Sequence, residues 1–348
     1  MRALALLLAL AQPAMAQELT QGFGADSAAQ RVVIRSTTDL AVMAPVIQAF
    51  VDGRPDLGVD YEQWGSNDLY DLAAVECASG WPLADLLLSS AVHQMVNLVN
   101  EGCAQPYRSA LTAALPADMR WRDELWGVTE EPAVMVYNRD LVPKDEVPLS
   151  RFDLLDLLRP NDSRYLGRIA TYDIETSGLG FLLAFADSLE ATTFGGLMES
   201  FGRSGAVATC CSAEIIDAVI RGEYLVAYNV LGSYALARAA GDPRLGVVAP
   251  HDYTLVLARA AMIPAGAAAP AAAAAFVDFL LSPTGRLALE RALLIVPLDG
   301  ADGTLLDTPD ATASIRRPIG LTPALLLALD TQKRALFQAR WRTAFPEQ

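Results

Sequence analysis

The stretch that decides the fold is VVIRSTTDLAVMAPVIQAF, residues 32–50. It opens as a β run at Val32, Val33 and Ile34, then passes through a polar loop, Ser36, Thr37 and Thr38. From residue 40 to 51 its apolar side chains fall three and four apart, the spacing of an amphipathic helix. Asp39 stands where an N-cap is needed. The same sentence is written again downstream. Residues 59–64 alternate like a strand, 67–77 read as a helix, 84–88 form an apolar strand closing on Ser89 and Ser90, and 91–100 return to helix. This β-α-β-α-β-α order predicts a parallel sheet with helices on both faces.

Beyond it, residues 132–137 predict a long strand ending in the turn Asn138-Arg139-Asp140. The alternation then restarts. Strands are expected at 168–172, 206–209, 225–229, 246–248 and 253–257, and helices at 178–191, 212–221, 270–281 and 285–292. The tail, 322–341, predicts one long amphipathic helix from near Pro323. Residues 17–30, small and polar, are expected to be a loose leader. The α/β class therefore comes in two blocks linked by two crossing strands. Lobe 1 takes residues 31–135 and 252–300, lobe 2 takes 136–251, and a helical segment, 301–348, packs on the lobes. No fixed-period repeat is present.

The start of the chain bears on the compartment. Arg2, an apolar run over residues 3–11 and the small-x-small triplet Ala14-Met15-Ala16 have the layout of a cleavable signal peptide, residues 1–16, cut after Ala16. The run is too short to span a bilayer. Such a chain is exported to the periplasm. With an apolar fraction of 53%, the remainder has ample material for a core. Loss of Arg2 takes the net charge from −15 to −16, which repels nucleic acid and anionic lipid at long range. Four cysteines can oxidise in that compartment. Cys77 and Cys103 can bridge across the first block, whereas a bond between neighbours Cys210 and Cys211 is geometrically demanding and free thiols are expected there. With only His93 and His251 and no CxxC, no zinc site and no cofactor is implied.

The chemistry-bearing residues sit in loops. In open α/β sheets ligands bind beyond the carboxyl ends of strands, and Ser36, Thr37, Thr38, Ser89 and Ser90 all fall there. Each is also an ordinary N-cap type. Thr176-Ser177-Gly178-Leu179-Gly180 joins a strand to a helix, and unpaired helical N–H groups with a positive dipole end suit a carboxylate or phosphate. Tyr228, Asn229 and Ser233 bring phenol, amide and hydroxyl groups suited to a polyoxygenated ligand. Tyr228 and Tyr234 are equally at home in a core. Glu130-Glu131 precedes the long strand, with Glu131 a candidate ligand group at the hinge, and Arg35 is placed to counter an anion.

Six stretches together resemble a known group: VVIRSTTDLAVMAPVIQAF, ADLLLSSAVHQMVNLVNEG, EEPAVMVYNRDLVP, IATYDIETSGLGF, GEYLVAYNVLGSYALARA and FVDFLLSPTGRLAL, in order over about residues 31–295. The chain resembles the periplasmic solute-binding proteins of ABC importers, type 2 fold, in the group of ferric-ion, hexose-phosphate and phosphoglycerate-responsive binders. The resemblance implies two lobes on two hinge strands, a small-molecule ligand between them, no catalysis, a monomer, and delivery to an inner-membrane ABC permease or a histidine kinase sensor domain. Ferric binders of the group carry two adjacent tyrosines after a Gly-Glu unit. Counted from Gly222-Glu223, that pair falls on Gly232-Ser233, which supplies no anionic donors for Fe(III). The expected ligand is a phosphorylated or carboxylated organic anion, with a ferric ion or ferric chelate as the alternative. A periplasmic hydrolase is the rival of another class, and it lacks GxSxG and HExxH motifs here.

Overall fold

A computed structural model describes residues 17–190, 192–296, 298, 306, 307 and 314–345. The expected signal peptide and its cleavage after Ala16 lie outside the described residues, as does most of 299–313.

The first seven strands are β1 (Gln17–Phe23), β2 (Gln30–Ser36), β3 (Leu57–Trp64), β4 (Leu86–Ser89), β5 (Arg120–Trp121), β6 (Leu125–Gly127) and β7 (Glu131–Asn138). The rest are β8 (Ile169–Tyr172), β9 (Val207–Thr209), β10 (Val226–Leu231), β11 (Leu245–Val248), β12 (Thr254–Leu257), β13 (Ala260–Met262) and β14 (Arg316–Pro318). They form two sheets. One runs β1-β3-β2-β4-β13-β6-β5, and the other β14-β12-β7-β10-β8-β9 with β11 also on β7. The helices between them are α1 (Leu40–Asp52), α2 (Ser66–Ser79), α3 (Val92–Asn100), α4 (Ala110–Ala114), α5 (Arg151–Leu158) and α6 (Gly178–Glu190). They continue with α7 (Phe194–Ser204), α8 (Ser212–Ile220), α9 (Gly232–Gly241), α10 (Pro270–Leu281), α11 (Pro283–Arg291) and α12 (Thr331–Ala344). In the first sheet β2 is parallel to β3 and β4, and in the second β8 is parallel to β9 and β10. Helices therefore follow the carboxyl ends of these strands, and in both sheets those ends face the same gap.

Two segments cross between the sheets. Residues 128–130 connect β6 to β7, and Ala258 and Arg259 connect β12 to β13. They are stitched together: Val128 N–H donates to Arg259 O at 2.9 Å, and Arg259 N–H donates to Thr129 Oγ1 at 2.8 Å. One apolar cluster, with Leu69, Val96, Leu182 and Ile216, runs through both lobes, and each lobe adds a core of its own. Phe50, Trp126 and Phe276 anchor the first, and Leu154, Tyr165 and Phe201 the second.

Three expectations are corrected. Residues 17–23 are the edge strand β1, antiparallel to β3 with Gln21 opposite Tyr61, because backbone pairing organises a segment whose exposed, polar side chains carry no burial signal. The tail is not one helix. A 3-10 segment, Pro323–Leu329, packs on α3, and α12 packs on α7. Asp330 breaks the run: its backbone is extended, and its carboxylate accepts from Lys333 N–H to start a new helix. Finally, Cys210 and Cys211 are disulfide-bonded, as are Cys77 and Cys103, whose Cα atoms are 5.3 Å apart. The turn between β9 and α8 lets the neighbours pair, with Cys211 at φ 65°.

Candidate functional site

The starts of six helices meet in the gap between the lobes. Asp39 and Gly65 are the N-caps of α1 and α2, and Ser90 lies just ahead of α3. From the other lobe come Ser177 before α6, Cys211 at the N-cap of α8 and Leu231 at the N-cap of α9. With Glu18, Thr37, Trp64, Ser66, Tyr172, Ser212, Tyr234 and Arg259 they line a cleft of about 120 Å³. The convergence follows from the sheets: a helix entered from the carboxyl end of a parallel strand points its N-terminus at the crevice. Each such terminus carries roughly half a positive charge.

The lobes touch across this cleft. Ser66 Oγ accepts from Gly178 N–H at 2.9 Å, Asn67 Nδ2 donates to Glu175 O at 3.1 Å, and Asp39 N–H donates to Tyr234 Oη at 3.1 Å. Gly178 leaves room for the Gln94 and Asn67 amides at this approach. A Cβ there would stand 2.8 Å from Gln94 Nε2 and 3.0 Å from Asn67 Oδ1.

Arg259 is the cation of the cleft. It lies at the crossing, almost wholly buried, with Nε 2.8 Å from Glu131 Oε1 and Nη2 3.2 Å from Oε2. Its Nη1 reaches Thr37 O at 3.4 Å. Glu131 also accepts from Thr129 Oγ1 at 2.8 Å and Ser233 Oγ at 2.5 Å. Burial works against the guanidinium charge, but Glu131 more than offsets it and holds the pKa above its ordinary value. Burial pushes Tyr172 up to about 12 and raises Tyr234 further, so both phenols are neutral. Their oxygens accept from Leu231 N–H and Asp39 N–H.

The sequence candidates divide into four sets. Thr37, Ser90, Thr176 and Ser177 line the cleft. Ser36, Thr38, Ser89, Glu131 and Ser233 lie behind it, buried. Ser36 Oγ accepts from Thr38 N–H, Ser89 Oγ accepts from Ala91 N–H, and Glu131 and Ser233 hold Arg259 in place. Gly178 serves the lobe contact. Tyr228 and Asn229 are elsewhere. The strand runs on to Leu231, with a register shift between Ala227 and Val230, so these two residues enter a small cavity inside lobe 2 with Phe201 and Trp341. Tyr228 Oη donates to Asp187 Oδ2 at 2.5 Å and accepts from Arg151 Nε at 2.6 Å. Arg35 also stays out of the cleft, paired with Glu62 and Glu76. Glu130 lies on the outer face, paired with Arg316.

Arg259, Trp64, Ser66 and the Cys210–Cys211 pair were not singled out from the sequence as ligand groups. A signal existed for Arg259: it interrupts the apolar run 255–263, and a cation in such a run must find a buried partner. Asp39 and Tyr234 were noted, but as a cap and a core aromatic.

Two mixed-sheet lobes joined by two crossing segments, with a polar cleft between them, define a solute-binding protein of the two-lobe type 2 periplasmic fold. The chain belongs to the family of bacterial extracellular solute-binding proteins, whose sequence profile matches residues 82–315. It is 31% identical to the substrate binding protein of an ABC transporter from Agrobacterium tumefaciens, over 94% of this chain and 98% of that one, with a TM-score of 0.84. The fold is shared with iron-bound HitA from Pseudomonas aeruginosa, 18% identical over 89% and 99% of the two chains, TM-score 0.66. It is shared also with AfuA from Actinobacillus pleuropneumoniae, solved with fructose-6-phosphate, 17% identical over 91% and 98%, TM-score 0.67. No curated protein sequence matches the chain. The family assigns a small-molecule ligand and an ABC permease as partner.

Proposed function

We propose that the chain captures a small organic anion, phosphorylated or carboxylated, between its lobes in the periplasm and hands it to an ABC permease. The observation that carries this reading is the convergence of six helix N-termini from both lobes on one cleft that also holds Arg259. Hydroxyls of Thr37, Ser66, Ser90, Thr176, Ser177 and Ser212 supply neutral donors around it. Ligand contacts to both lobes would favour the touching arrangement, which is the form a permease or a sensor kinase would read. Export through cleavage after Ala16 and a monomeric state belong to the same proposal.

A ferric ion is the weaker reading. Tyr172 and Tyr234 are neutral and already accept backbone N–H groups. Among the described residues no cluster of three His, Cys, Asp or Glu side chains could hold a metal.

Thermal unfolding of the purified, ligand-stripped protein tests the proposal. The panel holds phosphorylated three- and six-carbon compounds, di- and tricarboxylates, and ferric citrate. A ligand at a hundred times its Kd stabilises the folded state by about 2.7 kcal/mol. A rise in Tm with an organic anion supports the reading; a rise with ferric citrate and none of the iron-free anions overturns it.

A further inference from the structure

The cleft is not uniformly suited to an anion. Its charged lining side chains are Glu18, Asp39 and Arg259, and Glu131 sits directly behind Arg259. The arginine is thus neutralised in place, and the remaining side-chain charge is that of two carboxylates. The positive potential comes from the helix termini.

The two carboxylates share one end of the cleft. Glu18 Oε2 accepts from Gln63 Nε2 at 2.6 Å, and the same amide's Oε1 accepts from Leu40 N–H at 2.7 Å, next to Asp39. Asp39 does not cap its own helix, and its carboxylate has no hydrogen-bond partner among the described residues. Three aromatic rings line this cleft as well, Trp64, Tyr172 and Tyr234. Tyr234 links the two ends: its hydroxyl takes the Asp39 N–H, while its ring lies 6.0 Å from the Arg259 guanidinium carbon. The Asp39 backbone and the Arg259 guanidinium are therefore about one tyrosine side chain apart.

Resting on the anion reading above, we infer that the ligand carries its own ammonium group: a small zwitterion whose phosphate, phosphonate or carboxylate lies toward Arg259 and the helix termini, and whose amine lies at Asp39 and Glu18. An ammonium group donates to the free Asp39 carboxylate and is attracted to a neighbouring aromatic face. A plain anion would leave that carboxylate facing like charge. The short spacing calls for a short aliphatic chain between the two charges. A net zwitterion also needs no long-range steering, which the acidic surface does not provide.

Titration calorimetry on the full protein with two matched pairs tests this: O-phosphoethanolamine against ethyl phosphate, and β-alanine against propionate. Within each pair only the ammonium differs. In the pair whose anionic group the cleft accepts, the amino compound is expected to bind about tenfold tighter. The Asp39→Asn variant should lose most of that advantage while still binding the amine-free partner. Equal affinity within the pair, or an advantage untouched by Asp39→Asn, overturns the inference and leaves the anion reading standing. The wild-type comparison decides even if the variant does not fold. If none of the four compounds binds, the inference is overturned, and the thermal panel alone decides the anion reading.

Discussion

Two buried arginines in this molecule solve the same problem and serve different ends. Arg151 lies in lobe 2, fully enclosed. Its Nε donates to Asp187 and Tyr228, its Nη1 reaches Tyr253 O at 2.8 Å, and the Tyr253 ring lies 3.6 Å from its guanidinium carbon. Its Nη2 lies 2.9 Å from Asp187 Oδ1. Every partner comes from lobe 2 or its edge. Arg151 Nη1 also lies 3.3 Å from Asp252, a second carboxylate, whereas Arg259 is held by Glu131, at the crossing of the hinge segments and against the cleft. The residue type and the carboxylate partnership are alike. Position in the topology decides which pair supports one lobe and which stands where both lobes and a ligand meet.

The largest effect that would sharpen this contrast is on stability. Arg151→Leu leaves Asp187 charged in a sealed site, and breaking such a pair costs about 3–5 kcal/mol. Urea unfolding should show this loss. A ligand identified by the thermal panel should bind the folded fraction with unchanged Kd. If Kd moves instead of stability, the two clusters are not functionally separate.

Arg259→Leu should act the other way round. Removing a charge-assisted contact costs about 1.5–3 kcal/mol of binding, or roughly 10- to 150-fold in Kd. The expected reading is weakened binding of an anionic ligand by calorimetry, with Glu131→Gln following in the same direction because it releases Arg259. Unchanged affinity in both variants would put the anion elsewhere in the cleft.

A third buried ionisable group, His93, has no carboxylate partner among the described residues and sets the lower limit of the comparison. It stacks on Phe181 across the lobe contact at 5.6 Å, and Arg334 sits over the same phenylalanine. Burial, helped by Arg334, lowers its pKa from 6.5 to about 3. The unfolded chain then binds a proton that the folded chain refuses. The stabilising contribution of neutral His93 is complete above pH 6.5 and is lost as pH falls from there toward 3, at about 1.4 kcal/mol per pH unit. His93→Phe should flatten the stability curve over that window relative to wild type. Parallel curves would mean that His93 takes its proton without penalty.

How far the sequence reads follows from where its signals come from. The strand–loop–helix units were legible because burial imposes a period on local sequence, as in residues 32–50 and 84–100. Edge strand β1 was not, because it buries almost nothing and is organised by pairing with β3. Thr37, Ser90 and Ser177 were legible as cleft residues because they occupy loops at strand ends. Tyr228 and Asn229 were misplaced because a two-residue extension of β10, with a register shift inside it, turned them into lobe 2. A shift of that kind reverses the face of a side chain and leaves no mark on hydropathy.

What the sequence determined by itself is the alternation of strands and helices, and with it the α/β class and the loops from which a ligand is held. Those properties depend on neighbours within a few residues, where periodicity and capping act. Only the tertiary structure decided that Arg259 meets Glu131, that the Asp39 carboxylate has no hydrogen-bond partner among the described residues, and that six helix starts share one space. Those depend on residues brought together from far along the chain by the two crossing segments, and no local pattern encodes which of many buried or acidic side chains will meet there.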